Sequence, residues 1–321
     1  MNSYRTLDPR RDMFTFVSES SSIADGAVTS NAEPIPRPLS PANSHLVFFR
    51  GTPSTANPHI LLRLAQRKAA PPLPPFLPTD PTLAELRAML SPAEAACSHC
   101  TDETLQRYLH AYPKKERAYS ALSATLEWRA ERGYDAPSPP RTCHYCAEEP
   151  YHACFFSLGQ DAKRGWEVFY SCPPRSIHMD VEKLAHHTFM QLERALERSP
   201  KYVLLVDLHG LGMRDLDPRT AVSVLRALLS HYPGRLGQGV LLDMPWLFSV
   251  TWELLRKVMD EETAAKALML SGTASHSYFD EWLTPAQATF MKEVLEMPGT
   301  PGSFPPSVEA LRVPNGTRHV E

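Results

Sequence analysis

The sequence lacks the features that mark membrane-spanning and secreted chains. No apolar run reaches the roughly 18 residues that a transmembrane helix needs, and the N-terminus has no apolar signal-peptide core. Arg5, Arg10 and Arg11 are typical of a transit peptide, but Asp8 and Asp12 among them argue against one. We therefore expect a cytoplasmic protein.

The chain also lacks a strong net charge and the motifs of common enzyme classes. Its formal net charge of -3 gives no electrostatic reason to expect nucleic-acid binding. Gly210-Leu211-Gly212 has no third glycine of a dinucleotide fingerprint, and neither a phosphate-binding loop nor a Gly-x-Ser-x-Gly elbow occurs. His186 and His187 occupy adjacent positions of a predicted helix and point apart, so they are a poor pair of metal ligands. We expect that the protein is not an enzyme.

Proline is abundant and unevenly distributed. The 31 prolines are concentrated in the first 81 residues, in two joints at 136–150 and 173–174, and after Met297. We predict a disordered Pro- and Ser-rich tail with a short helix at 1–80, a helical bundle at 81–135, an α/β domain at 142–297 and a flexible tail at 298–321. Pro71–Pro78 favours polyproline II and can bind an SH3-type partner, although most such proline ladders are spacers.

Apolar periodicity in the second half of the chain alternates between strands and helices. Tyr202–Leu208 is a nearly continuous apolar run, as in a strand buried on both faces. Further on, the pattern predicts a strand at about Gly239–Asp243, a helix at about Trp246–Met259 and a strand at Lys266–Ser271. A strand, a helix and a strand in this order form a crossover unit of a parallel sheet. We predict an α/β fold in which a helical bundle precedes a mixed, mostly parallel sheet covered by helices.

Two blocks of spaced residues stand out, one in the predicted bundle and one in the α/β part. The first is Thr104-Leu105-x-Arg107-Tyr108-Leu109, Ala118 and Leu126-x-Trp128-Arg129. The second is Tyr232-Pro233-x-Arg235-x-Gly237, Pro245-Trp246-x-Phe248, Trp252 and Asp260-x-x-Thr263-x-x-Lys266. In order and separation, the two blocks resemble the CRAL-TRIO lipid-binding family over about Leu83 to Phe279. Arg129 has two interpretations: it pairs with an acidic neighbour, or it is a solvated surface charge, which is the simpler interpretation.

The resemblance implies a domain that holds one lipid in an apolar cavity. It also implies that the Trp246–Met259 helix is a gate that opens at a membrane surface. The gate residues are then Trp246, Leu247, Phe248, Thr251, Trp252 and Leu255. From periodicity alone, an ordinary helix that covers the sheet is the plainer interpretation, although Trp246 and Trp252 lie outside its buried stripe.

The resemblance also points to residues that would bind a lipid headgroup. In the phosphatidylinositol-transferring members, a threonine and a lysine touch the inositol phosphate, and these correspond to Thr263 and Lys266. A glutamate and an arginine of those members are replaced here by Gly234 and Tyr112.

Lys266 is predicted to begin a strand and to share a face with Leu268 and Leu270. If these leucines line the cavity, the Lys266 ammonium enters an apolar setting, where an anionic partner such as a lipid phosphate stabilises it. The alternative is a lysine at an exposed strand end.

The function predicted from these observations is the binding and transfer of a hydrophobic ligand without a required cofactor. The ligand is expected to be a phospholipid, such as a phosphoinositide, or another hydrophobic small molecule. The protein is expected to be a monomer that contacts membranes transiently. A different interpretation stays open, in which the chain is a protein-interaction module that kept this fold and lost its cargo.

Two Cys-x-x-Cys pairs lie outside the family pattern. The predicted helices at about 102–111 and 114–132 form an antiparallel hairpin, so the start of the first lies beside the end of the second. Cys97 and Cys100 can therefore meet Cys143 and Cys146, and four thiolates suit a structural zinc ion. The alternative is four reduced cysteines at a domain joint.

Overall fold

The computed structural model describes residues 81–136, 139, 143, 145–148, 152–177, 181–212, 215 and 218–311. The predictions for residues 1–80, including the proline ladder Pro71–Pro78, lie outside these residues.

The first described part is a bundle of helices. It comprises α1 (Pro81–Met89), α2 (Pro92–Ala95), α3 (Asp102–Ala111) and α4 (Lys115–Glu131). The Ser91 and Glu94 side chains form a capping box at α2, and the Thr101 hydroxyl accepts a hydrogen bond from the Thr104 amide at the start of α3. Leu86, Leu105 and Leu122 are buried together at the centre. The bundle is held by this apolar core, with α3 and α4 forming the predicted hairpin.

The second part is built on a sheet of five strands among the described residues. After the short helix α5 (Tyr145–Glu148), the strands are β1 (Phe155–Gln160), β2 (Glu167–Ser171), β3 (Tyr202–Asp207), β4 (Leu236–Leu242) and β5 (Ala267–Leu270). Their spatial order follows the chain, with β1 antiparallel to β2 and the other neighbours parallel. The predicted mixed, mostly parallel sheet is confirmed.

Helices cover both faces of this sheet. The remaining helices are α6 (Val181–Leu196), α7 (Pro218–His231), α8 (Ser249–Val258), α9 (Glu261–Ala265), α10 (Thr273–Trp282), α11 (Pro285–Glu296) and α12 (Val308–Leu311), with a 3-10 turn at Trp246–Phe248 before α8. Because side chains alternate along a strand, Val203 and Leu205 face the core formed with α10 and α11, whereas Leu204 and Val206 face α7 and α8. Within the described ranges, the helices fall short of the length and apolar character that a bilayer crossing requires.

The segment after Met297 departs from its prediction as a flexible tail. Val308 and Leu311 are buried in the core shared by the sheet, α10 and α11, and Phe304 packs against it. The buried Arg175 side chain donates hydrogen bonds to the carbonyls of Val294, Met297 and Ser303 at 2.8, 2.9 and 2.6 Å. The prediction of a flexible tail is therefore wrong for residues 298–311, because this segment supplies apolar side chains and carbonyl acceptors to the fold.

Candidate functional site

A cavity lies between the sheet and the helices α6, α7 and α8. Its volume is about 300 Å³, at the lower end of the roughly 300–1,000 Å³ usual for small-molecule sites. The strands contribute Phe155, Ser171, Leu204, Val206, Leu236, Gly239, Leu241 and Ala267. The helices and the 3-10 turn contribute Leu184, Thr188, Ala221, Val224, Leu225, Leu228, Phe248, Thr251, Trp252 and Leu255, together with Thr263 in the middle of α9.

The wall of this cavity is almost entirely apolar. Among its described lining residues, Asp215 is the charged one, and its Oδ2 accepts a hydrogen bond of 2.8 Å from the Gly212 amide. The polar residues Ser171, Thr188, Thr251 and Thr263 carry only hydroxyl groups. A hydroxyl group is only a neutral donor, and burying a phosphate without a cation is costly. The cavity thus suits hydrocarbon better than a charged headgroup.

Four of the six predicted gate residues line the cavity. Phe248, Thr251, Trp252 and Leu255 form one side of the 3-10 turn and α8, and Phe248 is buried against Leu241 of the sheet. The side chain of Leu247 lies outside the described residues. Trp246 points the other way and is 87% exposed.

The opposite side of the same segment is apolar too. Trp246, Val250 and Leu254 follow one another at intervals of four residues, which places them on one face of a helix. Val250 is 68% exposed and Leu254 is 38% exposed. The segment from Trp246 to Leu255 therefore has one apolar face on the cavity and another on the surface.

Of the predicted ligand-binding residues, some line the cavity and others lie on the opposite face of the sheet. Thr263 lines the cavity, but Leu268 and Leu270 lie on the opposite face of the sheet and pack into the core with α10 and α11. The prediction that these two leucines line the cavity is wrong. In β5, Ala267 faces the cavity instead, and a shift of one residue changes the face of every side chain in a strand.

Lys266 ends α9 and precedes β5, so it does not begin the strand as predicted. Its Nζ lies 2.9 Å from a carboxylate oxygen of Glu262, and His110 Nε2 lies 3.0 Å from the other oxygen of that group. The hydrogen bond from Lys266 lowers the pKa of Glu262, burial opposes this effect, and the bond to His110 adds to it. The partner of the ammonium in this structure is therefore a carboxylate at the edge of the domain.

The two Cys-x-x-Cys pairs lie in different surroundings. Cys97 and Cys100 pack against the apolar core of the bundle, and burial raises the pKa of Cys100 to about 11. Cys143 and Cys146 lie instead with His152 and His187, and the ligand atoms of these four residues are all within 4.8 Å of one another. The predicted four-cysteine site is wrong, because Cys143 follows the end of α4 by enough residues to reach the start of β1.

The second cluster is compact and largely buried. His152 Nε2 lies 3.6 Å from Cys143 Sγ and 3.5 Å from Cys146 Sγ, and His187 Nδ1 lies 3.2 Å from Cys146 Sγ. Burial raises the pKa of Cys146 to about 12, with a further contribution from Cys143. Burial also lowers the pKa of His187 to about 4, so its imidazole is neutral at physiological pH.

Sequence reasoning missed both histidines of this cluster. The adjacent positions of His186 and His187 argue against the two as a pair of ligands, although one histidine of such a pair can point inward alone. His152 follows Cys146 by six positions, and a Cys-x-x-Cys pair with a histidine so near was the signal available.

The two motif blocks meet at the contact between the bundle and the α/β part. The Trp128 ring stacks on His231 with a centroid separation of 4.2 Å. Arg129 binds Asp135 and Glu193, and the Tyr232 hydroxyl donates to Glu193 at 2.7 Å. Arg129 is buried, so its interpretation as a solvated charge is wrong. These motif residues join the two parts of the chain.

Comparison with known proteins extends these observations. The family model described as CRAL/TRIO domain matches residues 153–288. The chain is 26% identical over 233 residues to Protein real-time of Drosophila melanogaster, a match covering 63% of this chain and 34% of that protein. It is 29% identical over 114 residues to a CRAL-TRIO domain-containing protein of Caenorhabditis elegans, covering 32% of this chain and 16% of that protein.

Among solved structures, Sfh5 gives a TM-score of 0.44 at 17% identity, covering 53% of this chain and 64% of that chain. The match to the fly relative covers 34% of that protein, so the chain spans about a third of the length of this relative. The matched range 153–288 contains all five strands, the gate segment and nearly all of the cavity wall. The family model thus finds a CRAL/TRIO domain at residues 153–288 of this chain.

Proposed function

We propose that this protein binds a hydrophobic ligand in the cavity beneath α8 and exchanges it with a membrane when α8 moves. CRAL/TRIO domains bind hydrophobic ligands. The observation that carries the proposal is the pair of apolar faces on the segment from Trp246 to Leu255. One face closes the cavity, and the other presents a tryptophan, a side chain that favours the membrane interface.

The ligand that we propose is a phospholipid, with phosphoinositides as one candidate class. Its hydrocarbon would occupy the apolar cavity, and its phosphate would lie at the rim near Thr263 and Lys266. Lys266 is close to the cavity wall, since its carbonyl accepts a hydrogen bond of 3.1 Å from the amide of Gly239. A bound phosphate would compete with Glu262 for the ammonium. The glycine at position 234 and the tyrosine at 112 remove two of the contacts expected for inositol phosphate.

The cavity can be tested by filling it at Gly239. This glycine lines the cavity, and a Cβ added to it would meet nothing within 4 Å. Gly239→Leu should therefore abolish lipid loading while the protein stays folded, whereas Gly239→Ala should load nearly as the parent does. Mass spectrometry of co-purifying lipids and loading from labelled vesicles would measure this. Normal loading of Gly239→Leu would refute binding in this cavity, and no bound lipid in any form would favour the interaction-module alternative.

The phosphate contact can be tested separately at Lys266. Lys266→Ala should lower loading of phosphatidylinositol and other phospholipids but leave loading of diacylglycerol unchanged. Lys292→Ala is the matched control. Lys292 of α11 pairs with Asp280 of α10, and both helices lie on the far side of the sheet from the cavity. Equal phospholipid loading by both variants would reject the role of Lys266 and leave the cavity proposal standing.

A further inference from the structure

Four side chains that can bind a metal converge outside the cavity. Cys143 and Cys146 come from the segment around α5, His152 from the turn before β1, and His187 from α6. We propose that these four residues bind one structural zinc ion, which ties this segment to the CRAL/TRIO domain. Two sulfur and two nitrogen ligands are a common set for structural zinc.

The distances between the ligand atoms match a tetrahedral site. Zinc lies about 2.3 Å from sulfur and about 2.0–2.1 Å from nitrogen, so a tetrahedral angle separates a sulfur from a nitrogen by about 3.6 Å. Three of the four sulfur–nitrogen distances are 3.6, 3.5 and 3.2 Å, and all four ligand atoms lie within 4.8 Å of one another. One ion at the centre of the four atoms therefore needs little movement of the side chains.

Hydrogen bonds between the four side chains explain this arrangement less well. A thiol has one hydrogen to donate, yet Cys146 Sγ lies near a nitrogen of both histidines. His152 Nε2 in turn lies near both sulfur atoms. Hydrogen bonds account for all of these contacts only if His152 Nε2–H is shared between two weak sulfur acceptors, whereas a single cation between the atoms satisfies every contact directly.

The surroundings orient the ligands for a metal. His187 Nε2 lies 2.5 Å from the Phe155 carbonyl, so it carries the hydrogen and donates it, which leaves the Nδ1 lone pair directed toward the cluster. Metal-binding histidines commonly use their second nitrogen in this way. The Cys146 amide donates to the Cys143 carbonyl at 3.1 Å, and this turn brings the two thiols to one side.

The site is closed, which points to a structural role. Cys143, His152 and His187 are buried and Cys146 is half-buried. All six cysteines of the described residues are free, so no disulfide competes for these thiols. Four protein ligands leave no open position for a substrate, unlike a catalytic zinc site.

Metal analysis of the full chain tests the proposal. Protein purified without chelators should contain about one zinc per chain, and cobalt replacement should give the visible absorption bands of tetrahedral Co²⁺ with thiolate-to-cobalt charge transfer. Cys146→Ser and His187→Gln should lose the metal. The control is the double variant Cys97→Ser/Cys100→Ser, which alters the other Cys-x-x-Cys pair and should keep it.

Metal uptake by the wild-type protein tests the proposal even if a ligand variant does not fold. Wild-type chain that is purified with a reductant and takes up no stoichiometric zinc or cobalt would overturn the proposal. The proposal would also be overturned if a folded Cys146→Ser variant kept its zinc while the Cys97→Ser/Cys100→Ser control lost it. Zinc loss on chelation, with a lower unfolding temperature that zinc restores, would support it.

Discussion

Arg129 shows how one buried side chain joins the two parts of this protein. Its guanidinium makes paired contacts of 2.8–3.1 Å with Asp135 and of 2.8 and 3.0 Å with Glu193 of α6. Removing one partner of a buried ionic group leaves the others uncompensated, which typically costs about 3–5 kcal/mol. We expect Arg129→Met to lower the free energy of unfolding by that order in urea denaturation at neutral pH. Arg117→Met, at an exposed position of the same helix, should change it little, and equal effects of the two would contradict this role.

The contribution of this ion pair should depend on pH. Burial tends to raise the pKa of Asp135, but the hydrogen bonds and charge of Arg129 outweigh it, and the pKa is lowered. A carboxylate with a lowered pKa contributes stability that is complete above its unfolded value of about 3.9 and is lost as pH falls through the folded value. The stability difference between wild type and Arg129→Met should therefore shrink below about pH 4. Denaturation curves at pH 7 and near pH 3 would show this, and a constant difference would argue against the assignment.

Single residues were the hardest features to predict from the sequence. Phe248, Thr251, Trp252 and Leu255 line the cavity together, because spacings of three and four residues place them on one helix face. Leu268 and Leu270 lie on the opposite face of the sheet, since alternation along a strand separates its two faces but does not say which face meets the cavity. His152 and His187 join through tertiary contacts that local patterns do not contain.

The segment from Trp246 to Leu255, which we propose as the gate, has two faces that can be tested independently. Trp246 is exposed on its outer side, so Trp246→Glu should slow lipid transfer between vesicles several-fold and leave the unfolding temperature nearly unchanged. Trp246→Phe should keep most of the transfer rate, because an aromatic ring still enters the interface. Transfer by Trp246→Glu at the rate of wild type would show that this face does not contact the membrane.

Trp252 occupies the inner side of the same element. It lines the cavity and packs against the cluster of Leu208, Leu211, Leu241 and Phe248. Trp252→Glu would place a charge in this apolar setting, so it should lower both thermal stability and lipid loading. Unchanged stability with slower transfer would assign Trp252 to the membrane face instead.

The segment between α11 and α12 depends on Arg175. The Arg175 guanidinium supplies donors to three carbonyls at the end of α11 and beyond it, and each buried carbonyl left without a donor costs about 1–3 kcal/mol. Arg175→Met should therefore destabilise the protein and speed proteolytic cleavage after residue 297. Arg226→Met, at an exposed position of α7, should do neither. Proteolysis at the wild-type rate would mean that apolar packing alone holds this segment.

Elements were predictable where local chemistry specifies them. The predicted helices at about 102–111 and 114–132 and the buried run of β3 match the structure closely, because periodicity acts within a few positions. The ordered structure of segment 298–311 was not predictable, since its prolines and glycines resemble those of a flexible tail. What holds it is a distant side chain, Arg175, together with the apolar surface of the sheet and α11.

At the scale of the whole molecule, the proposed zinc site and the cavity share two elements. Phe155 lines the cavity, and its carbonyl bonds to the zinc-binding candidate His187. Leu184 and Thr188 of α6, on either side of His187 in sequence, also line the cavity. A metal that fixes His187 would therefore hold one wall of the cavity in place.

Removal of the metal should consequently change ligand retention. If both proposals hold, chelation of zinc should speed the release of a bound fluorescent lipid several-fold, because α6 would be less firmly held against β1. Added zinc should restore slow release. Cys146→Ser should release lipid quickly with or without chelator, and this insensitivity separates loss of the metal from direct effects of the chelator on vesicles. Release at an unchanged rate from protein whose zinc loss has been verified would show that the metal stabilises the fold without controlling the cavity.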